Sequence, residues 1–346
     1  MATKQSFSSK TLLGSPGALI GLRERIVSGE TINNSELVPL VKSWSIVQPS
    51  MVKRRVEQIW SRSIKNESQD RLLDIAISCC DLTTLEGTDT RGRINRLVAK
   101  AISPDGANGG CPPVAAICVY PDMVPDVYSA LNSRIIANGI HGKQARKINI
   151  ASVASGFPSR RTYSEVGALE ISRAISSGAN EIDIVIDRGA LLSGDFSAII
   201  NDVAAAKKAC GEVHLKVILE SGELGSLDMI GAASWLAVLG GADFLKTSTG
   251  KIPVGATPSS IFILARVAAQ ASEILERPLG VKASGGIKSS KDALRYLVLM
   301  AEEHGEQWLN PERFRFGVSS LLDDLVAQRR HRADGIYFDT DEFPLS

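Results

Sequence analysis

From about residue 70 onward, short β-rich runs alternate with longer helical patterns. The runs cover 78–82, 114–120, 148–154, 181–187, 213–219, 243–248, 279–283 and 314–318. From the second onward their starts lie roughly 30 to 36 residues apart, the size of one βα unit. VAAICVY and EIDIVID are apolar on both alternations, as strands buried on two faces are and half-exposed hairpins are not.

Helix punctuation fills the gaps. Ser164 reads as a cap for a helix whose apolar positions Val166, Leu169, Ala174 and Ile175 share a face, with Gly178 as its stop. A second helix runs from Asp195 through Phe196, Ile199, Ile200 and Val203 to Gly211. Thr257 precedes Pro258 as an N-cap precedes proline at the first helical position, and Ser289-Ser290 opens a helix before Gly305. Eight strands over about 250 residues predict an α/β fold, a (β/α)8 TIM barrel. An open doubly wound sheet is the rival, because periodicity does not show closure.

Residues 1–69 have a different texture. Apart from 37–41 and an amphipathic stretch at 49–62 they are polar, and 31–35 reads as a loop. The expectation is an N-terminal extension, disordered at its start, with one or two helices packed on the barrel. The barrel then occupies 70–330, and 331–346 forms an acidic, irregular tail.

Composition narrows the class. The 39 basic and 38 acidic residues of the 346 nearly cancel, so no global field draws nucleic acid or an anionic membrane. No apolar run approaches the roughly 20 residues of a spanning helix. The first residues lack a secretory h-region, and a disordered tail is a better reading of them than a transit peptide. The five cysteines, Cys79, Cys80, Cys111, Cys118 and Cys210, contain no C-x-x-C, and His141, His214, His304 and His331 form no metal-binding pattern. These features predict a cytoplasmic protein without metal or cofactor. Its partner would be a small molecule, with homo-oligomerisation left open.

In a barrel the active site gathers at the C-terminal ends of the strands. Asp183 in EIDIVID, Lys246 in FLKTSTGK and Lys282 in GVKASGG place ionisable groups inside otherwise apolar runs. Burying a charge is costly unless it is paired. A structural ion pair would satisfy one lysine. Two lysines on neighbouring strands suit a different purpose, because a second ammonium penalises protonation of the first and turns an amine into a nucleophile.

Polar, glycine-containing turns follow these strands. Thr249, Gly250 and Lys251 come after Lys246; Ser284, Gly285 and Gly286 come after Lys282; Gly317, Ser319 and Ser320 close the last strand. Each alone is an ordinary βα turn. Three on consecutive strands predict a phosphate site, which barrels build from their last loops. Asp81 and Thr83 in CDLTTL stand at the end of the first strand. Cys118 reads as a small buried residue lining the barrel. Lys216 in HLKVILE would face inward and pair with Asp183 or Glu220. Trp44, Trp60, Trp235 and Trp308 read as packing residues.

CDLTTL, AAICVYP, EIDIVID, LKVILE, FLKTSTGK, VKASGG and FRFGVSSLL occur in the order found in 2-deoxyribose-5-phosphate aldolases. The chain resembles that family over residues 72–328, and its long extension resembles the eukaryotic-type members. The resemblance implies a class I aldolase that cleaves 2-deoxyribose 5-phosphate to glyceraldehyde 3-phosphate and acetaldehyde. It implies Lys246 as the Schiff-base lysine, Lys282 as the lysine that lowers its pKa, and Asp183 as the proton-relay carboxylate. Gly250, Lys251, Gly285, Gly286, Ser319 and Ser320 match positions around the phosphate. Asp81, Thr83, Cys118, Lys216 and Thr249 match pocket residues. Two departures stand out: Ala283-Ser284 where many members have Pro-Ala, and Asp187-Arg188 where an asparagine is common. A tail tyrosine reaches the substrate in some members, and Tyr337 is the candidate here. A transaldolase-like Schiff-base enzyme and a non-catalytic phosphosugar-binding module are the competing readings.

Overall fold

The computed structural model describes residues 16–44, 48–62, 64, 66–106, 110–137 and 139–335. Eight parallel strands close into a barrel in chain order: β1 (Cys80–Thr83), β2 (Ala116–Val119), β3 (Asn149–Val153), β4 (Glu181–Val185), β5 (His214–Ile218), β6 (Phe244–Lys246), β7 (Gly280–Ser284) and β8 (Phe314–Val318). β8 pairs with β1, so no edge is left, and the doubly wound alternative is set aside. The first strand begins two residues later than the sequence suggests. Ser78 still belongs to the helix before it.

Before β1 lie α1 (Pro16–Val27), α2 (Asn34–Trp44), α3 (Pro49–Trp60) and α4 (Asn66–Ser78). The extension thus holds more helix than the one or two expected, and α4 crosses the boundary drawn at residue 70. Residues from 16 onward that read as tail form α1, whose Leu19, Leu22 and Ile26 bury one face at helical spacing. The loop expected over 31–35 gives up its last two residues to α2. Asn34 explains this, because its side chain donates to Gly194 O at 2.8 Å and accepts from Phe196 N at 2.9 Å. The disorder expected for the first residues falls on 1–15, outside the described residues.

Between the strands run α5 (Arg91–Ile102), α6 (Val124–Ile136), α7 (Ile140–Ala145), α8 (Ser164–Ser176), α9 (Arg188–Leu192), α10 (Phe196–Cys210), α11 (Leu227–Gly240), α12 (Pro258–Ile274), α13 (Ser290–His304) and, last, α14 (Leu321–Asp334). Asp195, Thr257 and Ser289 cap their helices as their sequence positions imply, Thr257 in a reciprocal box with Ser260. Two readings need correction. Ser164 is the first residue of α8, and Tyr163 is its cap. The buried face of α8 is Gly167, Ile171 and Ala174, while Val166 and Leu169 are exposed. Gly167 sets that rotation: a Cβ there would stand 2.3 Å from Ser155 Oγ, so only glycine fits at the closest approach. The tail expected from 331 is helical as far as Asp334, and Tyr337 lies outside the described residues.

The extension wraps the helix ring from α10 round to α14. That explains α11, LDMIGAASWLAVLG, which is apolar all round because α1 and α2 cover its outer side. Trp44 stacks near Trp235 at 6.1 Å, and Trp60 meets Tyr296 edge-on at 5.0 Å. Among the described residues no helix is long and apolar enough to cross a membrane.

Candidate active site

Strand register brings the predicted residues together. Lys246 and Lys282 are partners on adjacent parallel strands, about 4.8 Å apart at the backbone. Asp183 and Lys216 are partners across β4 and β5. All four side chains are buried, as are Asp81, Glu181 and Arg315.

Asp183 stands at the centre. Its Oδ2 accepts from Lys246 Nζ at 2.8 Å and from Lys282 Nζ at 3.0 Å, and its Oδ1 accepts from Lys216 Nζ at 2.9 Å. Lys282 also pairs with Asp81 Oδ2 at 2.6 Å, and Lys216 with Glu181 Oε2 at 2.6 Å. Arg315 closes the layer by donating to Asp81 Oδ1 at 2.7 Å and to Glu181 Oε1 at 3.1 Å. Lys216 therefore takes the Asp183 option and not Glu220.

Four cations, Lys216, Lys246, Lys282 and Arg315, face three carboxylates, Asp81, Glu181 and Asp183, so one positive charge is in excess when all are ionised. The excess is relieved most readily at Lys246. Burial lowers its pKa, Asp183 raises it and the neighbouring Lys282 lowers it, and the net direction is down. For Lys216, Lys282 and Arg315 burial also acts downward, but their several carboxylate partners win and the net direction is up. For Asp183 burial acts upward and is outweighed by Lys216, Lys246 and Lys282, which hold its carboxyl well below the usual range. One amine in the network is thus primed to lose its proton among groups that keep theirs.

Cys118 is buried with Leu85, Ala116, Ala151 and Val153 in a separate apolar cluster, as expected of a lining residue. Thr83 donates to its own strand at Asp81 O, at 2.9 Å.

The loops predicted to hold an anion are close-packed. Gly250, Gly285 and Gly286 all have positive φ, near +80°. A Cβ on Gly255 would stand 2.3 Å from the carbonyl of Gly285, so the loops after β6 and β7 touch through their backbones. Gly317 has a different purpose. A Cβ there would meet Ser284 Oγ at 2.5 Å and Lys282 Cε at 3.2 Å, so this glycine makes room first for Ser284 and then for the Lys282 side chain. Ser319 and Ser320 are exposed just before α14, and Ser320, its N-cap, makes no side-chain capping bond. Lys251 Nζ donates across the mouth to Leu85 O at 2.7 Å and Glu86 Oε1 at 2.9 Å.

Sequence reasoning missed Glu181 and Arg315. Both carried a signal: Glu181 precedes Asp183 by two, on the same strand face, and Arg315 interrupts FRFGV as Lys282 interrupts GVKAS. A cavity of about 370 Å³ lined by Arg160, Asn201 and Asp202 lies beside α10, apart from this network. Arg160 Nε donates to Asp202 Oδ2 at 2.9 Å there, so its two charges already satisfy each other.

The family model for DeoC/LacD family aldolases matches residues 75–327. The chain belongs to that aldolase family. The deoxyribose-phosphate aldolase of Bos taurus is 40% identical over 310 residues, spanning 87% of this chain and 94% of that protein. The Homo sapiens deoxyribose-phosphate aldolase is 41% identical over 305 residues, spanning 85% and 92%. The tetrameric deoxyribose phosphate aldolase of Aeropyrum pernix superposes with a TM-score of 0.57 at 22% identity, covering 84% of this chain and all of that one. At that identity the likeness is one of fold.

Proposed function

We propose that this aldolase reversibly cleaves 2-deoxyribose 5-phosphate to glyceraldehyde 3-phosphate and acetaldehyde, with Lys246 as the Schiff-base nucleophile. The observation that carries the reading is the imbalance of four buried cations against three carboxylates, with Lys246 alone among those cations shifted toward the free amine.

The free amine of Lys246 attacks C1 of the open-chain sugar. Lys282, held protonated by Asp183 and Asp81, supplies the proton that lets the carbinolamine lose water. The resulting iminium is the electron sink for cleaving C2–C3. A water held by Asp183 and the now neutral Lys282 passes the C3 hydroxyl proton to Lys282, the C2–C3 pair moves into the iminium, and glyceraldehyde 3-phosphate leaves. Protonation of the enamine at C2 and hydrolysis then release acetaldehyde and restore Lys246. Asp183 stays ionised in this scheme, in keeping with its depressed pKa. The phosphate would rest on Gly250, Lys251, Gly285, Gly286, Ser319 and Ser320, with Lys251 exchanging Glu86 for the anion.

Borohydride reduction during turnover, followed by peptide mapping, tests the assignment. The expected adduct is a reduced imine of the sugar phosphate or of acetaldehyde on Lys246. An adduct confined to Lys282 or Lys216 would reverse the roles. Absence of any adduct on the folded protein would reject the Schiff base.

A further inference from the structure

Glu220 stands two residues beyond β5, fully buried, in a left-handed conformation with φ 54° and ψ 54°. A non-glycine residue is held there only when its surroundings fix it, and such positions cluster at functional sites. Here its carboxylate supplies the reason. Oε1 accepts from Thr249 N at 3.1 Å and Oε2 accepts from Thr249 Oγ1 at 2.6 Å. Thr249 Oγ1 in turn accepts from Lys251 N at 3.0 Å. One carboxylate therefore sets Thr249 and, through it, the backbone on both sides of Gly250.

The same turn is anchored twice more. Ser221 N donates to Thr247 O at 2.8 Å, and a Cβ on Gly222 would stand 2.4 Å from Val254 O, so the turn after β5 lies flat against the loop after β6. On its other side Arg188 donates to Glu220 Oε2 at 3.4 Å and pairs with Glu223 at 3.1 Å. It also donates to Ser159 O at 3.4 Å. Loops following β3, β4, β5 and β6 are thereby linked around one buried carboxylate. The Glu220 carboxylate bonds to Thr249 and Arg188 and not to Lys246, Lys282 or Asp183, so the network that would do the chemistry does not depend on it directly.

We propose that Glu220 is the positioning residue for segment 249–251, and that it sets how strongly the enzyme prefers a phosphorylated to an unphosphorylated deoxyribose. The proposal rests on the reading that this segment meets the substrate phosphate. Glu220→Gln is the informative variant. It keeps the size but turns one acceptor oxygen into a donor, so the arrangement in which Oε1 takes Thr249 N and Oε2 takes Thr249 Oγ1 is lost.

The experiment measures kcat and KM of the full chain and of Glu220→Gln, with 2-deoxyribose 5-phosphate and with 2-deoxyribose. The variant is expected to raise KM for the phosphorylated sugar about tenfold, with kcat changed less than about threefold. Its kcat/KM for the unphosphorylated sugar should stay within about twofold of the parent, so the preference ratio falls. Arg188→Met, which removes the carboxylate's other anchor, should move the ratio the same way by about two- to threefold. Equal losses on both sugars in Glu220→Gln would make Glu220 a fold residue only and overturn the proposal. An unchanged ratio would overturn it too. A parent enzyme that shows no preference for the phosphorylated sugar would remove the phosphate reading itself, and the role of Glu220 with it.

Discussion

From β4 round through β8 to β1 the barrel interior is made of ion pairs, whereas β2 and β3 line it with Ala116, Cys118, Ala151 and Val153. Both arcs act on Lys246. Burial, to which the apolar arc contributes, destabilises its ammonium, whereas within the charged arc Asp183 stabilises it and Lys282 opposes it. Were the whole interior charged and evenly matched, every lysine would keep its proton. Were it all apolar, no group would be present to move protons once the amine had reacted. The division teaches that a nucleophilic lysine needs a deficit of one carboxylate, placed beside surface that offers no substitute. On the proposed reading, the same apolar surface suits a two-carbon aldehyde fragment, which offers few polar atoms to bind.

Removing the proposed nucleophile should have the largest effect. Lys246→Met keeps volume in a buried position and should lower turnover by at least about 10⁴-fold, because on the proposed reading Lys246 is the group that forms the iminium. Acetaldehyde release measured against the parent is the readout, and residual activity above about one per cent would move the nucleophile elsewhere.

Arg315→Met probes the floor of the charged arc. It leaves Asp81 and Glu181 each without the partner they share, and removing one member of a buried ion pair typically costs about 3–5 kcal/mol. Denaturant unfolding measures it. A loss below about 1 kcal/mol would mean that the carboxylates repair themselves through Lys282 and Lys216, and the charge count would no longer explain Lys246.

Lys282→Leu should lower kcat about 10²- to 10³-fold at neutral pH, since it removes the proposed proton donor. Its pH profile carries the sharper information. The Lys282 cation disfavours a second positive charge on Lys246, so deleting it raises the Lys246 pKa. The free amine then forms only at higher pH, and the acid limb of kcat/KM should move upward. An unmoved limb would show that burial alone tunes the nucleophile.

Much of the charged arc was legible in the chain because an ionisable residue inside an apolar run is conspicuous. Lys246, Lys282 and Asp183 announced themselves that way. Arg315 interrupts the apolar run of β8 in the same way, but its partners come from β1 and β4, which no local pattern links to β8, so its place in the network was not legible. The same limit hid the contact of Glu220 with Thr249, since the sequence offers Glu220 only as a partner for Lys216. That contact depends on a left-handed turn meeting a loop about 30 residues away, and sequence spacing does not encode it. The barrel itself was readable from strand count and period, while α1 was lost because a short amphipathic face at Leu19, Leu22 and Ile26 adjoins a polar start. The face turned inward by α8 was misread for a related reason: Gly167 carries no hydrophobic signal, yet its missing Cβ decides the rotation.

The apolar arc gives the smallest expected effect, and it is the one that tests whether the two arcs are separate at all. Cys118 is fully buried, and that burial pushes its thiol pKa up, with Asp183 acting in the same direction and the three lysines opposing. A thiol in that state is neutral near pH 7 and a poor nucleophile. Cys118→Ala should therefore change kcat by less than about threefold, and the missing sulfur should cost about 1 kcal/mol of stability. Because Lys246 is tuned chiefly by burial, the small space left behind should also leave the acid limb of the pH profile where it was, provided it stays dry. Water entering that space would ease the burial of Lys246 and move the limb upward, in the same direction as Lys282→Leu but without loss of the proton donor. A rate loss near that of Lys282→Leu, with the limb unmoved, would instead put Cys118 in the chemistry and end the division between the arcs.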